Sequence, residues 1–342
     1  MQRLQRAAVE QLMAGRPDTT LEAALEVFEV FASGSLTDEV YILDDVAGKR
    51  IAIAPTTLKD KYRRGGSMAI IVVSHQMGAG GPEIGMSLAQ RLGYRYVNQE
   101  LLLDAARRYG LAEDKLSHLD ESKPTLFERF DTETRHHITV LQTTCLEFAE
   151  DDNCVLMRGG GQWLLRGVPH VLRARVIGPF EHRVKQWVKR TAEMTGETPN
   201  YRAAAELVRR DDLEKSGRMR YLYEVDIADP TLYELVVNTE KMKYDAVVAI
   251  LEALVRRPDM ATTEAGRQMV ASRALASRVQ VALATHPETR RYRITVEAHG
   301  GVVTLEGTAA LERAVEVARS VPGVREVKTQ QVEIPPIPPF VA

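Results

Sequence analysis

The hydrophobic pattern between residues 67 and 256 alternates short apolar runs with longer segments that are apolar on one side only. The run at residues 69–73 is rich in β-branched side chains, which is typical of a strand buried on both faces of a parallel sheet. Further apolar runs lie at residues 154–157, 171–177 and 235–237. One-sided apolar patterns predict helices near residues 99–109, 126–150, 180–195 and 201–214. This alternation predicts an α/β fold, with a parallel sheet and flanking helices.

Residues 1–66 have a different pattern. A helix is predicted to begin after Asp18-Thr19-Thr20 and to end at Gly34, with one apolar face formed by Leu21, Leu25, Phe28 and Phe31. Two alternating segments at residues 39–43 and 50–54 then predict a β-hairpin. We expect a small N-terminal α+β unit, to which the sequence assigns no chemistry.

The C-terminal part of the chain is predicted to form a third unit. Residues 257–266 contain Pro258 and Gly266 and predict a linker. The pattern beyond predicts a helix, a strand, a glycine turn, a strand, a helix and a strand, at residues 269–285, 292–298, 300–301, 302–306, 310–320 and 324–334. We therefore expect an αββαβ domain over residues 267–334, followed by an extended proline-rich tail at residues 335–342.

Composition and charge narrow the class of protein. Hydrophobic residues make up 44% and charged residues 27% of the 342 positions, as in ordinary globular chains, and the formal net charge is −2. No overall positive field is available to attract nucleic acid, so we expect no nucleic-acid partner. Residues 1–15 lack the apolar core of a signal peptide, and no segment is apolar enough to span a membrane. We expect a cytoplasmic location.

The chain has two cysteines, Cys145 and Cys154. Neither has a His or Cys partner at the spacing of a metal site, so we expect no disulfide framework and no zinc site. Both are predicted to be small apolar side chains of the core.

A glycine-rich segment follows the first predicted strand, at residues 74–85. Successive glycines let backbone N–H groups converge on an anion, and the N-terminus of the next helix adds partial positive charge. The segment lacks the lysine and the adjacent hydroxyl of a Walker motif. Two interpretations stay open, a tight turn and a phosphate-binding loop formed by Gly78, Ala79, Gly80, Gly81, Pro82 and Glu83.

This segment resembles the opening of the cytidylate-kinase-like family, P-loop proteins similar to bacterial CMP kinase. The resemblance continues at residues 88–93, 96–102, 153–165, 171–183 and 229–239. It implies a P-loop-type parallel sheet and phosphoryl transfer from ATP to a (d)CMP-like acceptor, with Mg²⁺ bridging the donor phosphates.

The resemblance also implies roles for arginines and a lysine. The basic segment at residues 209–221 is similar to the lid of nucleoside-monophosphate kinases, with Arg210, Lys215 and Arg218 as catalytic candidates and Arg220 next. Arg158 and Arg183 are the candidates for substrate binding. The competing interpretation of the lid is a solvated helix with pairs such as Asp211 and Lys215.

The chain departs from the family pattern where chemistry is expected. The family usually has arginine at the position of Pro82, often arginine at His75, commonly serine at Ala79 and aspartate at Asn98. Most of these changes remove a charge or a hydroxyl. The sequence therefore leaves open whether the protein is an enzyme, and the alternative is a nucleotide-binding sensor or regulatory scaffold without activity.

The C-terminal unit resembles the BON domain through residues 294–296, 301–307 and 321–327. The resemblance implies a protein partner or an anionic ligand such as phospholipid. Arg290, Arg291 and Arg293 form a basic stripe that can meet an anion, although such residues are commonly just solvated. Self-association is a third interpretation.

Overall fold

The computed structural model describes residues 29–31, 41–44, 50–53, 69–109, 132–157 and 160–331. Its central feature is a five-stranded parallel sheet, with strands β4 (Ile70–His75), β5 (Arg95–Val97), β6 (Cys154–Leu156), β7 (Val171–Ile177) and β8 (Leu235–Asn238). The spatial order is β5-β6-β4-β7-β8. The expected α/β fold is thereby confirmed. The edge strand β5 was not predicted, because three residues are too few to show a period.

Three short strands precede this sheet, β1 (Glu29–Phe31), β2 (Tyr41–Asp44) and β3 (Arg50–Ile53). β2 and β3 pair antiparallel with Tyr41 opposite Ile53, which confirms the hairpin. The prediction of a helix was wrong at Phe31, because Phe31 of β1 pairs with Ile42 of β2. Aromatic and β-branched residues favour strands over helices, so a helical period is a weak basis for a helix at this point. The first part of that predicted helix lies outside the described residues.

The central sheet is flanked by helices α1 (Gly81–Leu92), α2 (Gln99–Ala106), α3 (Thr132–Glu150), α4 (Gly161–Leu164), α5 (Phe180–Thr195), α6 (Tyr201–Tyr223) and α7 (Tyr244–Val255). α5 has the predicted bounds, whereas α6 continues well beyond residue 214. The apolar helix α7 was missed. None of the helices in the described ranges combines the length and the hydropathy needed to cross a bilayer.

Strand β4 is buried on both faces, as predicted. Ile71 and Val73 pack on one side with Ile84 of α1 and Leu251 of α7. The alternate residues Ile70 and Val72 pack on the other side, with Cys145 and Leu146 of α3. Each fully buried side chain of this kind contributes about 1.5–3 kcal/mol relative to exposure.

The C-terminal unit contains α8 (Glu264–Thr285), β9 (Ile294–His299), β10 (Val302–Gly307), α9 (Leu311–Arg319) and β11 (Glu326–Gln331). β10 is central, antiparallel to β9 and parallel to β11. Gly300 and Gly301 both have positive φ, 53° and 86°, in the turn between β9 and β10. The predicted order αββαβ is confirmed.

Helix α8 belongs to two hydrophobic cores. Its first half places Val270 and Ala274 in the core beneath the central sheet. Its second half places Val279 and Leu283 in the core of the C-terminal sheet. The helix is also held along α3, where Arg278 Nη1 donates to Glu150 Oε2 at 2.6 Å. The two sheets are therefore joined by a shared packed helix.

The start of α8 lies inside the segment that the sequence predicted as a linker. Thr263 caps the helix, because its Oγ1 accepts from the N–H of Gly266 at 3.1 Å. Gly266 is a packing residue rather than a flexible one, since a Cβ at this position would meet Nδ1 of the buried His170 at 2.5 Å.

Because α8 is shared, we expect a cavity in the C-terminal core to weaken the central domain as well. Leu305 is fully buried in that core, and Leu305→Ala should lower the free energy of unfolding by about 2–5 kcal/mol. The measurement is urea unfolding followed by fluorescence of Trp163 and Trp187, which both lie in the central domain. The half-buried Thr304 on the same strand supplies the control, Thr304→Ala. An unchanged tryptophan transition in the Leu305 variant would contradict a shared unfolding unit.

Candidate functional site

The glycine loop lies between β4 and α1, at the carboxyl end of the central strand. β4 has β6 on one side and β7 on the other, and the chain reaches these neighbours in opposite directions from β4. Such a switch point, at the carboxyl ends of parallel strands, is where open α/β sheets bind ligands. Gly78 and Gly80 have φ of 79° and 83°, which glycine adopts without strain.

Only some of the backbone N–H groups of the loop are paired within the described residues. Ala79 N–H donates to Gln76 O at 3.1 Å. The N–H groups of Gly78 and Gly80 have no hydrogen-bond partner among the described residues. Pro82 occupies the first turn of α1, where a missing N–H costs least. This arrangement of two free amides at a helix N-terminus fits a phosphate group.

Several contacts hold the loop against the neighbouring helices. A Cβ on Gly78 would overlap the carbonyl of Arg183, and one on Gly80 would overlap the ring of Tyr244. Thr239 Oγ1 donates to Ala79 O at 2.9 Å. Glu83 in the first turn of α1 forms an ion pair with Arg190 of α5 at 2.6 Å. The loop is therefore packed against the first turn of α5 and against α7.

Arg183 lies beside the loop with its side chain buried. Its side chain is 3% exposed. Nε donates to Gly178 O at 2.9 Å, and Nη1 donates to Met77 O at 3.1 Å. Nη1 and Nη2 also donate to the two carboxylate oxygens of Asp212, at 3.1 and 2.6 Å. Arg183 thus links the loop, α5 and α6.

Lys215 reaches the loop from helix α6. Its Nζ donates to His75 O at 3.2 Å and forms an ion pair with Asp211 at 2.9 Å. The ion pair between Asp211 and Lys215, which belongs to the competing interpretation of a solvated helix, is present. Lys215 nevertheless also contacts the loop. An ammonium group is therefore supplied to the loop by α6, although the loop sequence lacks one.

The other predicted basic residues lie in different places. Arg218 lines the cavity described below. The side chain of Arg210 is 66% exposed and pairs with Glu214 at 3.6 Å, and that of Arg220 is 69% exposed and pairs with Asp226 at 3.6 Å. The structure does not bring Arg210 or Arg220 to the loop. Arg158 lies outside the described residues.

A cavity of about 110 Å³ opens beside the loop, between the ends of β4 and β6 and the helices α3 and α6. Its polar lining includes His75, Lys215 and Arg218 together with Gln142, Gln162 and Tyr223, and its apolar lining includes Ile138, Leu141, Met157, Met219, Leu222 and Ile227. Positive charge and uncharged polar groups thus share one mostly apolar cavity.

Tyr223 and Gln142 form a neutral polar pair in this cavity. Gln142 Nε2 donates to the hydroxyl of Tyr223 at 2.9 Å. Burial raises the pKa of Tyr223 to about 12, so its hydroxyl keeps its proton near neutral pH and can donate a hydrogen bond. Sequence reasoning missed both residues. Tyr223 lies beyond the predicted end of its helix, and Gln142 stands in a helix without a chemical motif.

The described residues do not fit a magnesium ion held by protein ligands. No group of three or more His, Cys, Asp or Glu side chains in those residues could hold a metal ion. Ser74 Oγ accepts a hydrogen bond from Arg175 at 2.8 Å, and Asp211 and Asp212 are paired with cations. The loop therefore offers a phosphate cradle without a protein ligand for Mg²⁺.

Both cysteines are buried, as predicted. Burial raises the pKa of Cys145 to about 12 and also raises that of Cys154. Each side chain therefore stays a neutral thiol, which excludes a thiolate nucleophile at either position.

Two parts of the chain match known protein families, and one of these parts contains this site. Residues 70–241 match the family model of the cytidylate kinase-like family, and residues 272–336 match the BON domain. Over 189 residues the chain is 24% identical to a cytidylate kinase of Thermococcus kodakarensis, which covers 54% of this chain and 87% of that protein. Over 191 residues it is 26% identical to a cytidylate kinase of Staphylothermus marinus, covering 56% and 98%.

Solved structures that align with the chain include a shikimate kinase from Bacteroides thetaiotaomicron, with a TM-score of 0.34 and 16% identity over 56% of this chain and 99% of that one. The similarity to an uncharacterized protein from Eubacterium ventriosum has a TM-score of 0.44, with 14% identity over 55% and 98%.

The family match spans half of the chain and contains the glycine loop, the central sheet and helix α6. The chain therefore belongs to the cytidylate kinase-like family, and a BON domain follows its kinase-like part.

Proposed function

We propose that the protein transfers the γ-phosphoryl group of ATP to a (d)CMP-like nucleoside monophosphate. The observation that carries this proposal is the contact between two sites. The amide-lined glycine loop and the cationic end of the cavity meet at His75 and Lys215. Phosphoryl transfer requires little more than a donor and an acceptor held in line with positive charge between them.

In this proposal the loop amides of Gly78 and Gly80 bind the donor phosphates. A phosphate oxygen of the acceptor attacks the γ-phosphorus, the bond from that phosphorus to the bridging oxygen breaks, and ADP leaves. Lys215 and Arg218 neutralise the charge on the transferring group, because both line the cavity beside the loop.

The lining of the cavity suits the groups of a nucleoside monophosphate acceptor, although its volume of about 110 Å³ is smaller than the whole nucleotide. Its apolar wall, which includes Leu141 and Met219, suits the faces of a base. The amides of Gln142 and Gln162 can each donate and accept hydrogen bonds, as the edge of a cytosine requires. The basic side chains at the other end suit the acceptor phosphate.

A second candidate function is a nucleotide-binding sensor without turnover. The observation that favours it is the composition of the loop, in which Pro82 and Glu83 stand where a Walker motif has its lysine and hydroxyl. In addition, Arg183 and Lys215, which donate to loop carbonyls in the described part of the chain, are both paired with aspartates of α6. A sensor of this kind binds ATP but does not transfer its γ-phosphoryl group.

Measuring ADP production from ATP and Mg²⁺ with CMP, dCMP, UMP, AMP and GMP separates the two functions. We expect turnover, fastest with CMP or dCMP. Folded protein that binds ATP in calorimetry and forms no ADP above the acceptor-free rate would establish the sensor. Absence of nucleotide binding would exclude both functions.

Removing either cavity cation should impair transfer. We expect Lys215→Met and Arg218→Met each to lower kcat/KM by about 100-fold or more, because each removes a charge that stabilises the transferring group. The assay is steady-state ADP production with the preferred acceptor, together with a thermal melt to verify folding. Arg202→Met is the control, since Arg202 is exposed near the start of the same helix. Wild-type kcat/KM in both cavity variants would contradict the assigned roles.

The glycine loop should not tolerate a side chain at Gly80. We expect Gly80→Ala to weaken ATP binding by at least about tenfold, because its φ of 83° disfavours alanine and the new Cβ overlaps Tyr244. Gly196→Ala is a matched control. Its φ is 76°, yet a Cβ there would have nothing within 4 Å. Equal loss of ATP affinity in both variants would indicate a general stability effect instead.

A further inference from the structure

The ion pair between Arg183 and Asp212 occupies a cation that contacts the glycine loop. The side chain of Arg183 is 3% exposed, whereas that of Asp212 is 29% exposed. The carboxylate therefore lies on the solvent side of the guanidinium. Both of its oxygens accept from Arg183, at 3.1 and 2.6 Å. Two parallel bonds of this kind are also how a guanidinium binds a phosphate.

Asp211, which precedes Asp212, forms a second ion pair of the same kind. Asp211 pairs with Lys215 at 2.9 Å, and Lys215 and Arg183 each donate to a loop carbonyl, of His75 and Met77 respectively. Two consecutive carboxylates of α6 thus neutralise two cations that touch the loop. In this conformation the loop presents free amides, while these cations already have anionic partners.

We propose that Asp212 is a positioning residue that competes with the donor phosphates for Arg183. A polyphosphate that enters the loop displaces the Asp212 carboxylate, because phosphate oxygens match the same fork of donors. This inference rests on the proposed binding of phosphate at the loop and adds a competitor to it.

Displacement of Asp212 has a consequence for the rest of the site. Asp212 lies on the same helix as Lys215 and Arg218, which line the cavity. Release of its ion pair removes one of the links between α6 and the first turn of α5, which otherwise pack through Val184 and Val208. Binding of the donor is thereby coupled to the position of the two cavity cations.

The variant Asp212→Asn tests the competition, because it keeps the shape of the side chain and removes its charge. Binding of tripolyphosphate, without nucleotide or acceptor, is measured by calorimetry at low ionic strength. We expect Asp212→Asn to bind about tenfold more tightly than the wild type, and Asp212→Glu, which keeps the charge, to stay near the wild-type affinity. Glu206→Gln removes one charge from the exposed side of the same helix, where Glu206 pairs with Arg209. This control should shift the affinity much less.

The outcomes separate this inference from the proposed function. Equal or weaker binding in Asp212→Asn, with a wild type that binds, overturns the competition and leaves the kinase proposal standing. Binding in neither protein overturns both. Tighter binding in Asp212→Asn combined with no ADP production from any acceptor supports the competition and removes the kinase activity.

A measurement on the wild type covers the case in which Asp212→Asn does not fold, since it leaves Arg183 buried without its carboxylate. Hydrogen exchange of α6 is followed with and without saturating tripolyphosphate. We expect faster exchange in peptides around Asp212 when the anion is bound, because the ion pair to α5 has opened. Unchanged or slower exchange there would overturn the inference.

Discussion

Burial of strand β4 on both faces is the constraint on which the site depends. Alternate residues of β4 fill the cores above and below the sheet, so a slip of one residue would exchange every one of these contacts. The strand is also paired in register with β6 and β7, from Ile70 onward. The chain must therefore leave the sheet after His75, at the switch point. Glycines are needed there because the backbone turns directly into α1 against α5 and α7.

The loop then differs from a Walker motif in the origin of its charge. A Walker lysine belongs to the loop and is present whenever the loop is folded. Here the ammonium group comes from Lys215 of α6, and the buried guanidinium comes from Arg183 of α5. The electrostatics of the loop consequently depend on how α6 is docked. This dependence shows how a chain without a loop lysine can still place positive charge beside the glycine loop.

The sequence predicted the features that are determined by the local pattern of residues. The apolar runs predicted four of the five strands of the central sheet, and glycine spacing located the loop. It failed where long-range contacts decide, as at Phe31, whose cross-strand partner Ile42 overrides a helical period. The position of Lys215 was implied by family resemblance, whereas Gln142 and Tyr223 carry no signal in the sequence. They become a polar pair only because α3 and α6 meet over the cavity.

The connection between the two sheets also depends on contacts between distant parts of the chain. Helix α3 lines the cavity with Ile138, Leu141 and Gln142, while its Thr143 hydrogen-bonds Ser277 of α8 at 2.5 Å. α8 in turn supplies core residues to both sheets. The BON match begins at residue 272, within this helix, so a boundary drawn by sequence similarity divides a single packed element. A helix that completes two cores cannot shift under one sheet without altering its contacts under the other, and α3 lies against it along the same length.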